Sequence, residues 1–301
     1  MILRIKKIHI LIFAFMLVSV SFIFTIKSEK IEKTSGMNNG LKLPIVMYHH
    51  ITQDKEKAGK YVVTTEELEN DLIYLNKCGY NTVLVADLIK YTENQTDLPR
   101  KSVMITFDDG FKSVIKLALP LLEKHKIKAV IAPVGAITEE YTKNGNTDIN
   151  YSYLTWEELK NLDANPLIEI QSHTYNLHTL SKNENGRNAM AKSKNETYEQ
   201  YRSTITNDLT KMQNELKSKS NINAVAIAYP YGLYSDTTLK IIKEIGFKTN
   251  FLCEEKINII YKGDKESIYN LGRFNRPSGV DTEDFFKKMS VYWYVKYVNH
   301  A

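Results

Sequence analysis

The sequence predicts an α/β fold: a distorted (β/α) barrel of about seven parallel strands, forming one domain behind an N-terminal membrane anchor. Three observations carry that reading. Short apolar, β-branched runs alternate with amphipathic helical segments. The runs lack the polar alternation of a half-solvated sheet, as strands covered on both faces do. Polar residues with chemical potential gather at the C-terminal ends of the runs, the rim on which α/β barrels carry their sites. This many strands over the stretch 43–301 suits an incomplete or distorted barrel better than an open sheet.

The elements follow in order. "MILRIKK" is a basic lead, and "IHILIFAFMLVSVSFIFTI" is an apolar run of about 19 residues, close to the span of a bilayer. No small-residue cleavage site follows in "TIKSEK", which favours an uncleaved anchor over 1–27 to a cleaved signal. A buried core helix is disfavoured, because nothing amphipathic accompanies the run. Lys6 and Lys7 then stay inside and the body faces outward, extracytoplasmic and anchored, or secreted if the segment is cut. Residues 28–42, "SEKIEKTSGMNNGLK", read as a polar tether.

From 43 onward the expected strands are "LPIVMYH" (43–49), "SVMITF" (102–107), "KAVIAPV" (128–134), "LIEIQS" (167–172), "AVAIAYP" (224–230), "KTNFLC" (248–253) and "IYNLGRF" (268–274). Between them "TTEELENDLIYLNKCG" opens on a capping box, Thr64 with Glu67, and closes at Gly79. "TWEELKNL" repeats the device with Thr155 and Glu158, "TYEQYRSTITNDLTKMQNELKS" has a helical period, and "SDTTLKIIKEIG" ends on Gly246. The polar stretches 138–152 and 181–197 read as long loops. Cys78 and Cys253 form no C-x-x-C spacing and read as core residues.

Charge narrows the functional classes. Of the net +5, residues 1–33 hold +4, from six basic residues against Glu29 and Glu32, leaving about +1 for the remainder. That is too little for the basic footprint of a nucleic-acid binder. No glycine-rich phosphate loop occurs either.

The chemistry collects in "YHH" (48–50), "DDG" (108–110), "SHTYNLH" (172–178), "YPYG" (229–232) and "GRFNR" (272–276). Of seven histidines, His49, His50, His173 and His178 lie at these strand ends, whereas His9, His125 and His300 do not. A single such histidine is more often structural; four beside paired aspartates weaken that explanation. His173 and His178 stand five residues apart, about 140° around a helix, so they converge only through a loop. Two imidazoles and a carboxylate are a common set for a catalytic divalent ion, which acidifies water and polarises a carbonyl. Adjacent aspartates raise each other's cost of ionisation. With Asp109 on a metal its charge is neutralised, and Asp108 stays ionised to take a proton. Zinc suits two nitrogens and one carboxylate, as do cobalt, nickel and manganese.

"TFDDG", "SHTYNLH" and "YPYG" resemble, in order, the signature motifs of the polysaccharide deacetylases, the NodB-homology group of carbohydrate esterases (family four). The resemblance spans roughly residues 43–277. It implies a distorted barrel, a divalent metal and hydrolysis of N-acetyl groups on amino-sugar polymers. Two departures stand out. Most members have His-x-x-x-His where this chain has His-x-x-x-x-His, and the late leucine-led motif with the acid histidine is absent. Both departures resemble the poly-β-1,6-N-acetylglucosamine deacetylases, whose acid histidine lies in an N-terminal "YH" motif, here His49 in "MYHH". Carried over, Asp109, His173 and His178 hold the metal, Asp108 is the base, and His49 protonates the leaving amine. Tyr231 offers a backbone N–H to the oxyanion, and Arg273 orients the base, with Arg276 as competitor. Tyr175, Tyr229 and Tyr231 are candidates to stack on sugar rings; Trp156 fits core packing better. The expected partner is an N-acetylglucosamine polymer, exopolysaccharide in preference to peptidoglycan. O-acetyl esterase activity is a further outcome, and a non-catalytic carbohydrate-binding scaffold is the reading from another class.

Overall fold

The computed structural model describes residues 40–145, 148–183 and 186–289. The expected anchor 1–27, nearly all of the tether, and His9 and His300 lie outside the described residues. Among the described residues no helix is long and apolar enough to cross a membrane.

The chain opens with β1 (Leu41–Leu43), β2 (Ile45–Tyr48), β3 (His50–Thr52) and β4 (Val62–Thr64), then α1 (Thr65–Lys77), β5 (Asn81–Thr82) and α2 (Val85–Thr92). The middle holds β6 (Ser102–Asp109), α3 (Leu119–His125), β7 (Ala129–Pro133), α4 (Gly135–Asn144), α5 (Trp156–Asp163) and β8 (Ile168–Ile170). The last part adds α6 (Tyr198–Ser220), β9 (Ala226–Ala228), α7 (Thr238–Ile245), β10 (Thr249–Phe251), β11 (Asn258–Ile260) and β12 (Phe274–Asn275).

The main sheet runs β12-β2-β6-β7-β8, all parallel, with β5 also pairing β6. β9 and β10 form a separate parallel pair, tied to the sheet's two ends by single bridges, Ser172 to Ile227 and Phe251 to Leu271. The ladders thus confirm the parallel α/β class, but they do not form one uninterrupted closed barrel. β2 and β6 explain the apolar runs: every residue of β2 and the first seven of β6 are buried. One face of these strands packs under helices and the other against side chains of the other strands, so neither face needs polar alternation.

Both expected capping boxes form, Thr64 with Glu67 and Thr155 with Glu158. Thr197 with Gln200 makes another at the head of α6. The expectation for 268–274 fails. Asn270 takes a left-handed φ of 54° and exchanges side-chain bonds with Asn250, so only Phe274 and Asn275 extend as β12. The first half of the expected loop 138–152, residues 138–144, is instead the end of helix α4. Glu140, Lys143 and Asn144 face solvent and Thr138 is buried, while Thr142 Oγ1 accepts the Trp156 amide and ties α4 to α5. Neither cysteine is a core residue: both are half-buried free thiols, Cys78 capping α1 and Cys253 following β10.

Candidate active site

The C-terminal ends of the strands converge on a cavity of 460 Å³ lined by His49, Asp108, Asp109, His173, His178 and Tyr231, among others. A larger cleft of 740 Å³ lies around strand starts such as Asn81, Lys128 and Leu167, away from these residues.

The first puzzle is how two successive strand residues reach one cavity, since neighbours on a strand point to opposite faces. Asp109 adopts φ 69° and Gly110 φ 79°, so the chain leaves the strand in a left-handed turn that re-aims the second carboxylate. Gly110 is obligatory there, because a Cβ would stand 2.7 Å from that of Pro133. Thr174, next to His173, and Tyr231 also have left-handed backbones, at φ 68° and 56°. Such conformations cost on the order of 1–3 kcal/mol each, and here they gather around one cavity.

Asp109 Oδ1 lies 3.4 Å from His173 Nε2 and 3.1 Å from His178 Nε2. One ligand atom from each of the three side chains falls within 4.8 Å of the others. Asp109 Oδ1 is nonetheless buried without a hydrogen-bond partner, an expensive state that a cation relieves. His173 Nδ1 lies 2.9 Å from the Ala228 carbonyl. It therefore carries the proton and donates it, leaving the Nε2 lone pair aimed at the cavity. His178 Nδ1 meets the Tyr231 hydroxyl at 3.2 Å, an equivalent support. The residues present fit a divalent ion. Burial pushes the Asp109 pKa up, but contacts with His173 and His178 outweigh it and hold the carboxyl far below its usual range. Burial pushes His173 down, yet Asp108 and Asp109 bring it above its ordinary value.

Asp108 is buried and gripped by one guanidinium: Arg273 Nη1 donates to Oδ1 and Nη2 to Oδ2, both at 2.7 Å. Desolvation raises the Asp108 pKa, and the Arg273 charge more than compensates, so the carboxylate stays ionised. Arg276, the competitor, belongs elsewhere, paired with Asp71 through Nε at 2.7 Å.

His49 follows β2 at the cavity wall, with Nδ1 buried and unpartnered and its ring 5.0 Å from Tyr61. Burial lowers its pKa, partly offset by Asp108 and Asp109. His50 also lines the cavity, with its Nδ1 sharing a 3.0 Å contact with Ser113 Oγ. Among the proposed sugar-stacking residues only Tyr231 lines the cavity, 45% exposed. Tyr229 is fully buried among Tyr201, Ile227 and Ile241, so its ring is closed to a sugar. Tyr175 is outside the cavity lining and carries Lys211 Nζ 3.9 Å over its ring. Trp156 packs in the core, as expected, with Nε1 donating to Glu139. Tyr61, Asn275 and Cys253 also line the cavity. Of these, Asn275 lies in the "GRFNR" stretch and Tyr61 is an aromatic in a polar loop; Cys253 carried no signal toward the site.

The family model described as polysaccharide deacetylase matches residues 95–250. A Poly-beta-1,6-N-acetyl-D-glucosamine N-deacetylase of Staphylococcus aureus (strain NCTC 8325 / PS 47) is 28% identical over 228 residues, 76% of this chain and 71% of that protein. A protein of the same name from Escherichia coli (strain K12) is 26% identical over 224 residues, 69% of this chain. The match spans about a third, 33%, of the Escherichia coli protein's length. The solved structure of a de-N-acetylase from Aggregatibacter actinomycetemcomitans superposes with a TM-score of 0.68 at 23% identity, covering 82% of this chain and 99% of the other, and shares its fold. The matched span takes in the aspartate pair, His173, His178 and Tyr231, and on that footing the chain belongs to the polysaccharide deacetylase family.

Proposed function

We propose that this chain is a metal-dependent N-deacetylase acting on N-acetylglucosamine units of a β-1,6-linked exopolysaccharide, outside the cell and tethered by residues 1–27. The observation that carries the reading is the Asp109–His173–His178 cluster, with an orphaned buried carboxylate oxygen beside an ionised neighbour, Asp108. The names of the Staphylococcus aureus and Escherichia coli relatives support the substrate class. The apolar run near the N-terminus supports the location.

Asp109, His173 and His178 would hold the ion, zinc in first place, which supplies Lewis acidity for the acetyl carbonyl and acidifies water. Asp108 takes the proton of the attacking water. Arg273 occupies one lone pair on each of its oxygens and leaves others free. Arg273 also fixes the plane of the carboxylate, so the base is oriented before substrate arrives. The Tyr231 backbone N–H is assigned to the developing oxyanion, where a fixed dipole is worth most. His49 gives a proton from its ring to the departing amine, which otherwise leaves poorly. Tyr231 and Tyr61, on the cavity wall, offer aromatic faces to the sugar.

The test is acetate release from soluble β-1,6-linked N-acetylglucosamine oligomers, compared with isolated peptidoglycan. Asp108→Asn is expected to lower kcat by roughly 10²–10⁴ while retaining the metal. Full turnover in that variant overturns the assignment of the base, and release from peptidoglycan alone overturns the substrate.

A further inference from the structure

His173 and His178 are five residues apart, and the loop between them makes no regular element. Something must nevertheless hold His173 Nε2 and His178 Nε2 beside one carboxylate oxygen. The peptide units at 174–176 are gripped from two sides. On one side the first amides of α4 donate inward, Gly135 N to the Thr174 carbonyl at 3.1 Å and Ala136 N to the Tyr175 carbonyl at 2.7 Å. Gly135 permits that approach, since a Cβ would sit 2.6 Å from Tyr175 Cδ2. On the other side Asp208, in the middle of α6, accepts the Tyr175 amide on Oδ1 at 2.8 Å and the Asn176 amide on Oδ2 at 2.7 Å.

We propose that Asp208 is a positioning residue for the metal site: its carboxylate clamps two consecutive amides of the loop and thereby sets the separation of His173 and His178. It touches neither the ligands nor the cavity. Its effect is geometric, because α6 is anchored by its own buried face, with Ile205, Leu209 and Met212 all at 0% exposure. Thr174, Tyr175 and Leu177 pack inward and Asn176 is exposed, so the carboxylate holds the backbone where side-chain packing ends. Without the carboxylate, two amides lose charge-assisted partners and the loop is free to relax away from the geometry that the ion needs. Asparagine cannot substitute fully, since its amide nitrogen is a donor facing a donor.

The inference rests on the metal-site reading above, and its test separates the two. The metal-free full chain is titrated with cobalt(II), following the visible absorption bands and the dissociation constant, for the wild type, Asp208→Asn and Asp208→Ala. Thermal unfolding of each metal-free form is measured alongside. The expected result is cobalt affinity weakened on the order of ten- to a hundredfold with altered band positions, Asp208→Ala more than Asp208→Asn. Wild-type affinity and spectrum in both variants, with only a lowered unfolding temperature, overturn the positioning role and leave the metal site standing. A wild-type chain that takes up no cobalt overturns the metal site itself, and the positioning role with it.

Discussion

Arg273 and Arg276 both bring a full charge into the interior, with side chains at 0% exposure, and each meets one carboxylate in a forked pair. Arg273 grips Asp108, and Arg276 grips Asp71, which also accepts the Tyr48 hydroxyl at 2.7 Å. Removing one member of such a pair strands the other charge in a poorly solvated place, at a cost of about 3–5 kcal/mol. Arg273→Ala and Arg276→Ala are therefore expected to lose comparable stability in denaturant melts. Their kinetics should diverge. Arg273→Ala releases the base from its plane and cuts kcat, whereas Arg276→Ala leaves the Asp108 pair untouched and keeps kcat within a few-fold. Equal loss of turnover in two folded variants would show that the Asp71 pair reaches the chemistry as well. The resemblance put Arg273 ahead of Arg276 in "GRFNR"; spacing alone could not, since the choice depends on which carboxylate each approaches across the sheet. Tyr229 shows the same limit. Its position at a strand end was readable, but whether the ring turned toward the rim or into the Tyr201–Ile241 cluster was decided by tertiary packing.

Among the elements, legibility followed locality. The capping boxes of α1 and α5 are contacts between residues three apart, so Thr64–Glu67 and Thr155–Glu158 were visible in the string itself. β3, β4 and β11 span three residues each, too short for a period to register, and exist through partners distant in sequence. α4 was hidden for another reason: its outward face is polar, and one carboxylate makes several of its ties to α5 and α6. Glu139 accepts from Lys219, from Trp156 Nε1 at 2.7 Å and from Lys143 at 3.0 Å, joining α4 to α5 and α6. Those donors hold its pKa down to about 2. The folded chain thus takes up this proton less readily than the unfolded chain. The stabilisation is complete above the ordinary glutamate range near pH 4.5 and is lost as pH falls toward 2. Glu139→Gln should accordingly be less stable than the wild type at pH 6, with the gap closing progressively between pH 4.5 and 2. A gap that stays constant across that window in paired urea melts would rule out the carboxylate charge as the source.

For the whole molecule, the question is whether the proposed ion would build the fold or only use it. Small zinc domains are unfolded without metal because they lack a core of their own. Here the ligands hang from a packed sheet: Asp109 ends a strand whose preceding seven residues are buried, and His173 follows β8 and is bridged to β9 through the Ala228 carbonyl. Val46, Ile105, Phe107, Ile131 and Phe274 are all at 0% exposure in the core where these strands meet the helices. The order of motifs along the chain was readable because parallel strands deliver every C-terminal end to the same rim, whatever their separation in sequence. By the same logic the rim should survive without its ion. Chelation is expected to abolish acetate release while leaving the far-ultraviolet circular dichroism unchanged. The unfolding temperature should fall only by the binding linkage, about 2.7 kcal/mol for metal present at a hundred times its dissociation constant. For a domain of this size that is roughly 5–10 °C. Readdition of zinc should restore both the temperature and the activity. A chelated chain that instead loses its secondary structure would mean that the cation organises the sheet, and the cavity would then have to be read as a structural site.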